Sequence, residues 1–343
     1  MIKEDLRIVF FGTSDFGCPT LDTLRLNGFN VVGVVTKPDF FNPRKKVLEP
    51  TPIKQKAIEL GIPVLEAKDM NSKDFQAHLG AFSGNIFIVI AFQMIPKAVY
   101  SMAKYGTFNI HASLLPLYRG AAPINWAIAN GENRIGMTSF FINEKMDEGD
   151  IICQMSVPNY TNKNFTQMYQ VLSISVCGGL CCKTLNQIIS EDGNTSTFKQ
   201  DRYGLVENEI NRAKSNGEKS KYFAPKLNRQ NTKLDLSKGV KDVFNHIKAF
   251  SEKPGAWCSI VSDDKYNLRS IKILSGEIIS FGSKSNHPED GFYFTAPDKD
   301  SILLWCDDGI IKVKTLQIEG SKVMDAKTFL NGYGNSIENW KLQ

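Results

Sequence analysis

The sequence lacks the features that mark membrane, secreted and metal-binding proteins. Its longest uninterrupted apolar run covers residues 86–92, far short of the roughly 20 residues that a membrane-spanning helix needs. The first residues hold no basic segment followed by an apolar stretch, so no secretory signal is predicted. The four histidines lie far apart, and neither C-x-x-C nor H-E-x-x-H occurs. We therefore expect a cytoplasmic protein without a metal cofactor.

Disulfide bonds are not expected either. Seven cysteines are an odd number in a chain too long to need covalent stapling. Cys177, Cys181 and Cys182 are predicted to pack as small apolar side chains of a helix rather than to bind a metal.

Nucleotide-binding motifs are also missing. Gly12 and Gly17 follow the first predicted strand but do not form G-x-G-x-x-G, and no Gly-Lys-Ser/Thr follows them. This spacing argues against a nicotinamide enzyme and against a P-loop protein.

What the composition does contain is ordinary for a globular protein. The 343 residues are 42% hydrophobic and 22% charged, and Lys+Arg 41 against Asp+Glu 36 leaves a net charge of +5. These values argue against wholesale disorder, and the length suggests two domains.

The N-terminal half alternates predicted strands with predicted helices. A strand over residues 7–11 breaks at Gly12, and a helix is predicted from Asp15 to about Asn27. Further strands are predicted at residues 30–36, 63–65, 86–91 and 107–110. This alternation is typical of a parallel sheet flanked by helices, which binds ligands beyond the carboxyl ends of its strands. We therefore expect the chemistry in the loops after Phe11, Ala91 and Ile110.

The C-terminal half has a different pattern. A long helix is predicted over residues 164–190, and the segment 191–233 is polar and linker-like. A helix over residues 240–250 follows, and then short alternating strands with Asp-Gly turns. This pattern favours a small β-barrel.

Polar residues at the end of the 107–110 strand are the first candidate site. Asn109 and His111 are two apart, so they project from the same side of a strand. A histidine in such a position more often has a structural role, and on the spacing alone a functional role for His111 remains an alternative. Asp147 follows the strand predicted at residues 135–142, where acidic residues beside glycine usually make turns. Beside His111, however, its carboxylate would orient the imidazole and favour its charged form, as acid–base chemistry requires.

Four segments of the chain resemble the methionyl-tRNA formyltransferases. They are residues 6–16 (LRIVFFGTSDF), 31–39 (VVGVVTKPD), 109–123 (NIHASLLPLYRGAAP) and 146–150 (MDEGD). The resemblance implies an α/β fold: an N-terminal Rossmann-like formyltransferase domain with a mostly parallel sheet, and a C-terminal OB-fold-like β-barrel domain. It implies domain boundaries at residues 1–200 for the catalytic domain, 201–228 for a basic linker and 229–343 for the tRNA-binding domain.

The resemblance also implies the reaction and its residues. The formyl group of 10-formyltetrahydrofolate would pass to the α-amine of methionyl initiator tRNA. Asn109 and protonated His111 would donate to the formyl oxygen, and Asp147 would hold His111 and accept the ammonium proton. The folate would be held by Phe92, Gln93, Met94, Ser113, Leu114, Leu115 and Pro116.

Related formyltransferases share the catalytic half, so the C-terminal half indicates the acceptor. Residues 224–227, 250–257, 316–324 and 329–330 resemble the tRNA-binding module of the family. The family's basic, glycine-rich acceptor-stem loop matches residues 40–46, where glycines are absent but Arg44, Lys45 and Lys46 keep the charge, and Lys226 adds to it. The linker is longer than usual. Family precedent implies a monomer.

Other functions remain open at this point. A sugar-nucleotide N-formyltransferase would use the same triad, and a formyltetrahydrofolate hydrolase would replace the amine by water. A nucleic-acid-binding protein with a vestigial fold is a third alternative, which the intact Asn109, His111 and Asp147 argue against.

Overall fold

The structure is a computed structural model that describes residues 1–43, 45–159, 163–201, 204–216, 220–251, 254–262, 269–281, 292–333 and 340–342. Its strands in chain order are β1 (Arg7–Gly12), β2 (Asn30–Thr36), β3 (Phe40–Asn42), β4 (Val47–Glu49), β5 (Val64–Glu66), β6 (Ile86–Ile90), β7 (Thr107–His111), β8 (Arg119–Gly120), β9 (Arg134–Phe141), β10 (Ile151–Pro158), β11 (Phe223–Ala224), β12 (Ala256–Ser262), β13 (Arg269–Phe281), β14 (Phe292–Asp298), β15 (Ser301–Cys306), β16 (Gly309–Ile318), β17 (Met324–Asp325) and β18 (Trp340–Leu342). Its α-helices are α1 (Cys18–Leu26), α2 (Pro52–Glu59), α3 (Lys73–Ala81), α4 (Lys97–Tyr100), α5 (Pro123–Ala129), α6 (Phe165–Gln170), α7 (Gly178–Ser190), α8 (Leu205–Ser215), α9 (Val240–Ala249) and α10 (Ala326–Tyr333).

Contacts divide the chain into two compact units. The first comprises Met1–Pro123, Arg134–Pro158 and Tyr169–Ala224. The second comprises Ile124–Asn133, Asn159–Met168 and Pro225–Gln343.

The first unit is built on a mostly parallel sheet. In the described part of the chain, seven strands follow the order β10-β9-β7-β6-β1-β2-β5. The five strands from β7 to β5 are parallel to their neighbours, whereas β9 and β10 are antiparallel. β1 and β6 are apolar runs buried along nearly their whole length, as central strands flanked by helices require. The predicted parallel sheet is confirmed.

The topology places the candidate site. From β1 the chain builds outward through β2 and β5 on one side, and then returns to β6 and β7 on the other. β1 and β6 therefore flank the point where the strand order reverses, and crevices beyond the carboxyl ends of such strands bind ligands. Phe11, Phe87 and Phe92 belong to the apolar core around these strand ends.

Two helices in this unit begin at side-chain caps. The Thr51 side chain accepts from the Lys54 N–H at the start of α2, where Pro52 occupies the first turn. Ser72 caps α3 in the same way by accepting from the Phe75 N–H. These caps fix where each helix begins and so orient the loops at the sheet edge.

A continuous helical stretch, Phe165–Ser190, contains α6, a π-helical segment (Val171–Cys177) and α7. By length and composition it would suffice to cross a membrane, but 56% of its most apolar window is buried inside the protein, as in a core helix. All seven cysteines are free. Cys177 and Cys181 are fully buried on this stretch and Cys182 is partly buried, as the sequence predicts.

The second unit contains an antiparallel β domain. Its strands follow the order β13-β12-β18-β14-β15-β16-β17, and β13 also pairs with β16, which closes the sheet into a barrel. Ile273, Leu304, Ile311 and Leu316 are buried in this domain. The predicted C-terminal β-barrel is confirmed, and its assignment to the OB-fold stays a prediction.

Residues 124–133 belong to this second unit because of specific contacts. The Asn125 side-chain amide donates to the Ala249 carbonyl at 2.7 Å, and the Trp126 indole N–H donates to the Pro225 carbonyl at 2.9 Å. The Trp126 and Phe250 rings meet edge to face at 5.4 Å. These contacts join α5 to Pro225, to the last residue of α9 and to Phe250, which follows it.

Candidate active site

Strand β7 carries Asn109 and His111, the two polar residues predicted to share one face of the strand. Asn109 pairs with Val89 of β6, and His111, the last residue of β7, pairs with Thr138 of β9. The intervening Ile110 is buried. Because they are two residues apart in one strand, the side chains of Asn109 and His111 lie on one face of the sheet near its carboxyl edge. Asn109 is partly exposed and His111 is buried.

Hydrogen bonding fixes the orientation of the His111 ring. Its Nε2 lies 2.9 Å from the Tyr118 carbonyl oxygen. Since a carbonyl only accepts, Nε2 carries a proton and donates it. Nδ1 lies 3.8 Å from Asp147 Oδ2, beyond hydrogen-bond length but within the range of an ion pair. In the neutral ring Nδ1 therefore holds the free lone pair, and in the protonated ring it becomes a second donor.

Asp147 is held in an unusual backbone conformation. Its φ is +56°, in the left-handed region, which costs a non-glycine residue about 1 kcal/mol. Its Oδ2 accepts the Gly120 N–H at 2.9 Å. Backbone strain of this kind persists where surrounding contacts enforce it, and it is common at functional sites.

Two glycines allow the site's loops to approach each other. A side-chain carbon at Gly149 would overlap the Phe141 carbonyl oxygen. Gly120 has φ +117°, and a side-chain carbon there would lie 2.6 Å from the Ala224 carbonyl oxygen. Neither position accommodates a side chain without movement of the backbone.

The far end of the predicted linker, residues 221–224, pairs with the loop that follows His111. β11 lies parallel to β8. Around this pairing Tyr118 N–H donates to the Lys221 carbonyl at 2.9 Å, Arg119 N–H to the Tyr222 carbonyl at 3.0 Å, and Ala121 N–H to the Ala224 carbonyl at 2.9 Å. The segment that contacts His111 and Asp147 is therefore itself held by residues 221–224.

Gln200 is a site residue that sequence reasoning missed. Its side-chain amide donates to the Asp147 carbonyl at 2.9 Å and to the Gly149 carbonyl at 2.8 Å. Its Oε1 accepts from Arg119 Nε at 3.0 Å. Arg119 is buried, and its guanidinium lies 3.6 Å from Glu148 Oε1. Gln200 lies 53 residues from Asp147 along the chain, so no local spacing could have pointed to it.

The residues predicted to hold folate occupy two adjacent loops. Phe92 is half-buried and meets Phe11 edge to face at 5.7 Å, whereas Gln93 and Met94 are exposed. The loop starts at Ala91, whose φ is +50°. These three residues lie just beyond β6, at the edge where the sheet topology predicts a ligand.

In the second loop, hydrogen bonds within the protein hold the backbone in place. Ser113 and Leu115 are buried, and Leu114 and Pro116 are partly buried. The Ser113 hydroxyl donates to the Leu117 carbonyl at 2.7 Å, and the Leu115 N–H donates to Thr138 Oγ1 at 3.0 Å. The loop is therefore preorganised beside His111 rather than free to rearrange.

The predicted acceptor-stem loop is a β-hairpin formed by β3 and β4. Its Lys45 is exposed and pairs with Glu49 at 2.7 Å, and Lys46 is exposed with φ +57°. Phe41 and Leu48 are also exposed. Arg44 lies outside the described residues. Lys226, the fourth predicted nucleic-acid residue, is exposed just after β11.

An ionic cluster closes the base of the hairpin. Lys54 Nζ lies 2.6 Å from Asp39 and 2.7 Å from Glu66. These hydrogen bonds raise the pKa of Lys54, which keeps it charged. A buried hydrogen bond of 2.7 Å joins the hydroxyls of Thr36 and Thr51. The two ends of the hairpin segment are therefore fixed to β2, β5 and α2.

Metal chemistry has no candidate site in the described part of the chain, where no group of three or more His, Cys, Asp or Glu side chains converges. The arrangement instead offers hydrogen-bond donors and a carboxylate at a sheet edge, which suit acyl transfer.

Comparisons with known proteins agree with this geometry. A family model described as formyl transferase matches residues 6–174, and one described as formyl transferase, C-terminal domain, matches residues 226–334. A methionyl-tRNA formyltransferase of Parabacteroides distasonis is 35% identical over 98% of this chain and 99% of its own length. The chain belongs to the methionyl-tRNA formyltransferase family.

Solved structures show the same fold. HypX from Aquifex aeolicus is similar with a TM-score of 0.60 at 15% identity over 97% of this chain, which spans about half (50%) of HypX. An N-formyltransferase from Helicobacter canadensis, in complex with folinic acid and dTDP-3-aminofucose, has a TM-score of 0.59 at 21% identity and covers 90% of this chain and 98% of its own.

Proposed function

We propose that this protein transfers the formyl group of 10-formyltetrahydrofolate to the α-amine of methionine esterified to initiator tRNA. The products are tetrahydrofolate and formylmethionyl-tRNA. The observation that carries the proposal is the buried His111 beside Asp147 at the carboxyl end of β7, in a chain that matches a methionyl-tRNA formyltransferase over 98% of its length.

The side chains can be assigned to steps of the reaction. The amine nitrogen attacks the formyl carbon, and the bond from that carbon to N10 of the folate breaks. Negative charge that develops on the formyl oxygen is met by the Asn109 amide and by Nδ1–H of protonated His111, since Nε2–H is engaged by Tyr118. Each such donor typically contributes about 3 kcal/mol.

Proton movement accompanies this transfer. Of the three protons on the ammonium group, one stays on the new amide, one is released and one goes to N10 as it leaves. Asp147 accepts a proton directly or through water. Its carboxylate is held for this role by the Gly120 N–H.

Substrate contacts follow from the same site. Folate is held by the loops containing Phe92, Gln93 and Met94 and residues 113–116. Residues 1–200 form the catalytic domain, 201–228 a basic linker and 229–343 the tRNA-binding domain. Phosphates of the tRNA are met by the basic residues Arg44, Lys45, Lys46 and Lys226.

The protein acts as a cytoplasmic monomer that does not associate with membranes.

The test is incorporation of labelled formyl from 10-formyltetrahydrofolate into methionyl initiator tRNA. Methionyl elongator tRNA and a tRNA-free reaction are run beside it. We expect transfer confined to the initiator. Transfer to an amino sugar attached to a nucleotide, or formate release without any acceptor, would contradict the proposal and favour a sugar-nucleotide N-formyltransferase or a formyltetrahydrofolate hydrolase.

Variants of the three central residues test the mechanism. N109A, H111A and D147N are each expected to lower single-turnover formylation by at least about a hundredfold with the fold retained. H78A is the matched control, because His78 is an exposed histidine on α3. Near-normal turnover in one of the three variants would remove that residue from the mechanism.

A further inference from the structure

Gln200 connects the two segments that hold Asp147. Both N–H groups of its amide are used, one on the Asp147 carbonyl at 2.9 Å and one on the Gly149 carbonyl at 2.8 Å. Its oxygen accepts from Arg119 Nε at 3.0 Å. The reversed amide would place an oxygen against two carbonyls, so these partners fix which end is the donor.

These contacts set the position of the Asp147 carboxylate. Asp147 Oδ2 accepts from the N–H of Gly120, the residue after Arg119. Gln200 therefore holds residues 119 and 147–149 at a defined separation, with the Gly120–Asp147 hydrogen bond between them. The 3.8 Å approach of Asp147 to His111 depends on the same separation.

The loop that carries Asp147 needs such support. Its backbone at Asp147 is left-handed, a conformation that surrounding contacts must enforce. Two carbonyls flanking Glu148 are bound by one side chain, so the loop loses both restraints if the Gln200 donors are removed.

We propose that Gln200 is a positioning residue that acts through Asp147, holding its carboxylate against His111 for formyl transfer. The inference rests on the proposed function, because it assumes that Asp147 takes part in the reaction. Gln200 itself is not expected to touch the formyl group, the amine or the folate.

The first variant is Q200M, which keeps the length of the side chain and removes its donors and acceptor. We expect single-turnover formylation to fall about 10- to 100-fold, a loss comparable to that caused by removing residues that orient metal ligands. KM for the tRNA and for 10-formyltetrahydrofolate should change less than twofold, since substrate contacts are intact.

The second variant, Q200E, separates the two functions of the amide. A carboxylate still accepts from Arg119 but cannot donate to the Asp147 and Gly149 carbonyls. We expect its rate to be as low as that of Q200M. Wild-type turnover in Q200E would overturn the inference, and Q200E remains informative if Q200M fails to fold.

Q187M is the matched control. Gln187 also donates to a carbonyl, that of Ser196 at 3.1 Å, and accepts from Cys153 Sγ at 3.0 Å. It takes no part in the contacts around Asp147. Its turnover should equal that of the wild type, and a loss as large as in Q200M would show that removing such a bridge merely loosens the fold.

A double-mutant cycle distinguishes positioning from a general structural role. In a D147N background, where the carboxylate is already gone, adding Q200M should lower the rate less than twofold. A full additional loss would overturn the inference. If D147N alone has normal turnover, the proposed function of the site fails; if D147N is impaired while Q200M is normal, only the inference about Gln200 fails.

Discussion

Replacing Gly120 by alanine tests whether the loop that follows His111 depends on close packing against residues 221–224. Gly120 has φ +117°, and a side-chain carbon added there would lie 2.6 Å from the Ala224 carbonyl oxygen. Alanine must therefore adopt a conformation that L-residues avoid and also push β11 away from β8.

The expected loss of stability can be worked out from these two effects. The left-handed backbone costs about 1–2 kcal/mol. Separation of the strands weakens the hydrogen bonds of Tyr118, Arg119 and Ala121 to residues 221–224, each of which contributes about 1 kcal/mol. We expect G120A to lower the free energy of unfolding by about 2–4 kcal/mol.

Gly61 provides the matched control. It has φ +69°, and a side-chain carbon there meets nothing within 4 Å. G61A therefore isolates the conformational cost of about 1–2 kcal/mol without a clash.

The assay combines urea unfolding of each variant with single-turnover formylation. Because the Gly120 N–H donates to Asp147, G120A should also lower the rate at least about tenfold, while G61A leaves it unchanged. If G120A loses no more stability than G61A and turns over normally, the close approach of β8 and β11 does not support the site.

Three further predictions concern the hairpin, the tRNA and the thiols. K54M should lower the free energy of unfolding by about 1–2 kcal/mol because it leaves two carboxylates facing each other. K97M, which breaks an exposed pair of 2.7 Å, should cost much less; equal costs in urea titrations would contradict this reasoning. K226A should reduce the slope of log Kd for tRNA against log salt by about 0.7–0.9 while K73A leaves it unchanged, and an unchanged slope in K226A would remove Lys226 from the interface. Burial, followed by the charge of Asp15, raises the pKa of the Cys18 thiol to about 11, so only about 0.1% of this thiol is thiolate at pH 8. Iodoacetamide should therefore modify Cys18 about 100-fold more slowly in the native than in the urea-unfolded protein; mass-spectrometric rates that match in both states would refute this.

Local patterns predicted the elements that lie closest to the site. The apolar run at residues 86–92 corresponds to β6 and the exposed start of the loop that follows it. The two-residue spacing of Asn109 and His111 placed both on one face of β7, because alternation along a strand is a property of a few consecutive residues. The strand and helix order likewise predicted the parallel sheet and the edge at which to search.

Other parts of the site could not be predicted from such patterns. Residues 40–46 were expected only as a basic loop without glycines, whereas β3 (Phe40–Asn42) pairs with β4 (Val47–Glu49) in a hairpin whose base is held by Lys54. The hydrogen bonds by which Ser113 and Leu115 shape their own loop could not be read from the sequence, and their predicted contact with folate stays a prediction. The segment 201–228 was expected to be a linker, and it contains α8 and the strand β11 that pairs with β8.

The sequence by itself determined the alternation of strands and helices in the N-terminal half, the face shared by Asn109 and His111, and the family to which the chain is similar, because each is carried by short stretches of consecutive residues. Tertiary structure alone decided which nitrogen of His111 is free, how closely Asp147 approaches it, and that Gln200 and residues 221–224 support the site. The physical reason is that hydrogen bonds such as those between Gln200 and Asp147, 53 residues apart, form only where the folded backbone brings their donors and acceptors within about 3 Å.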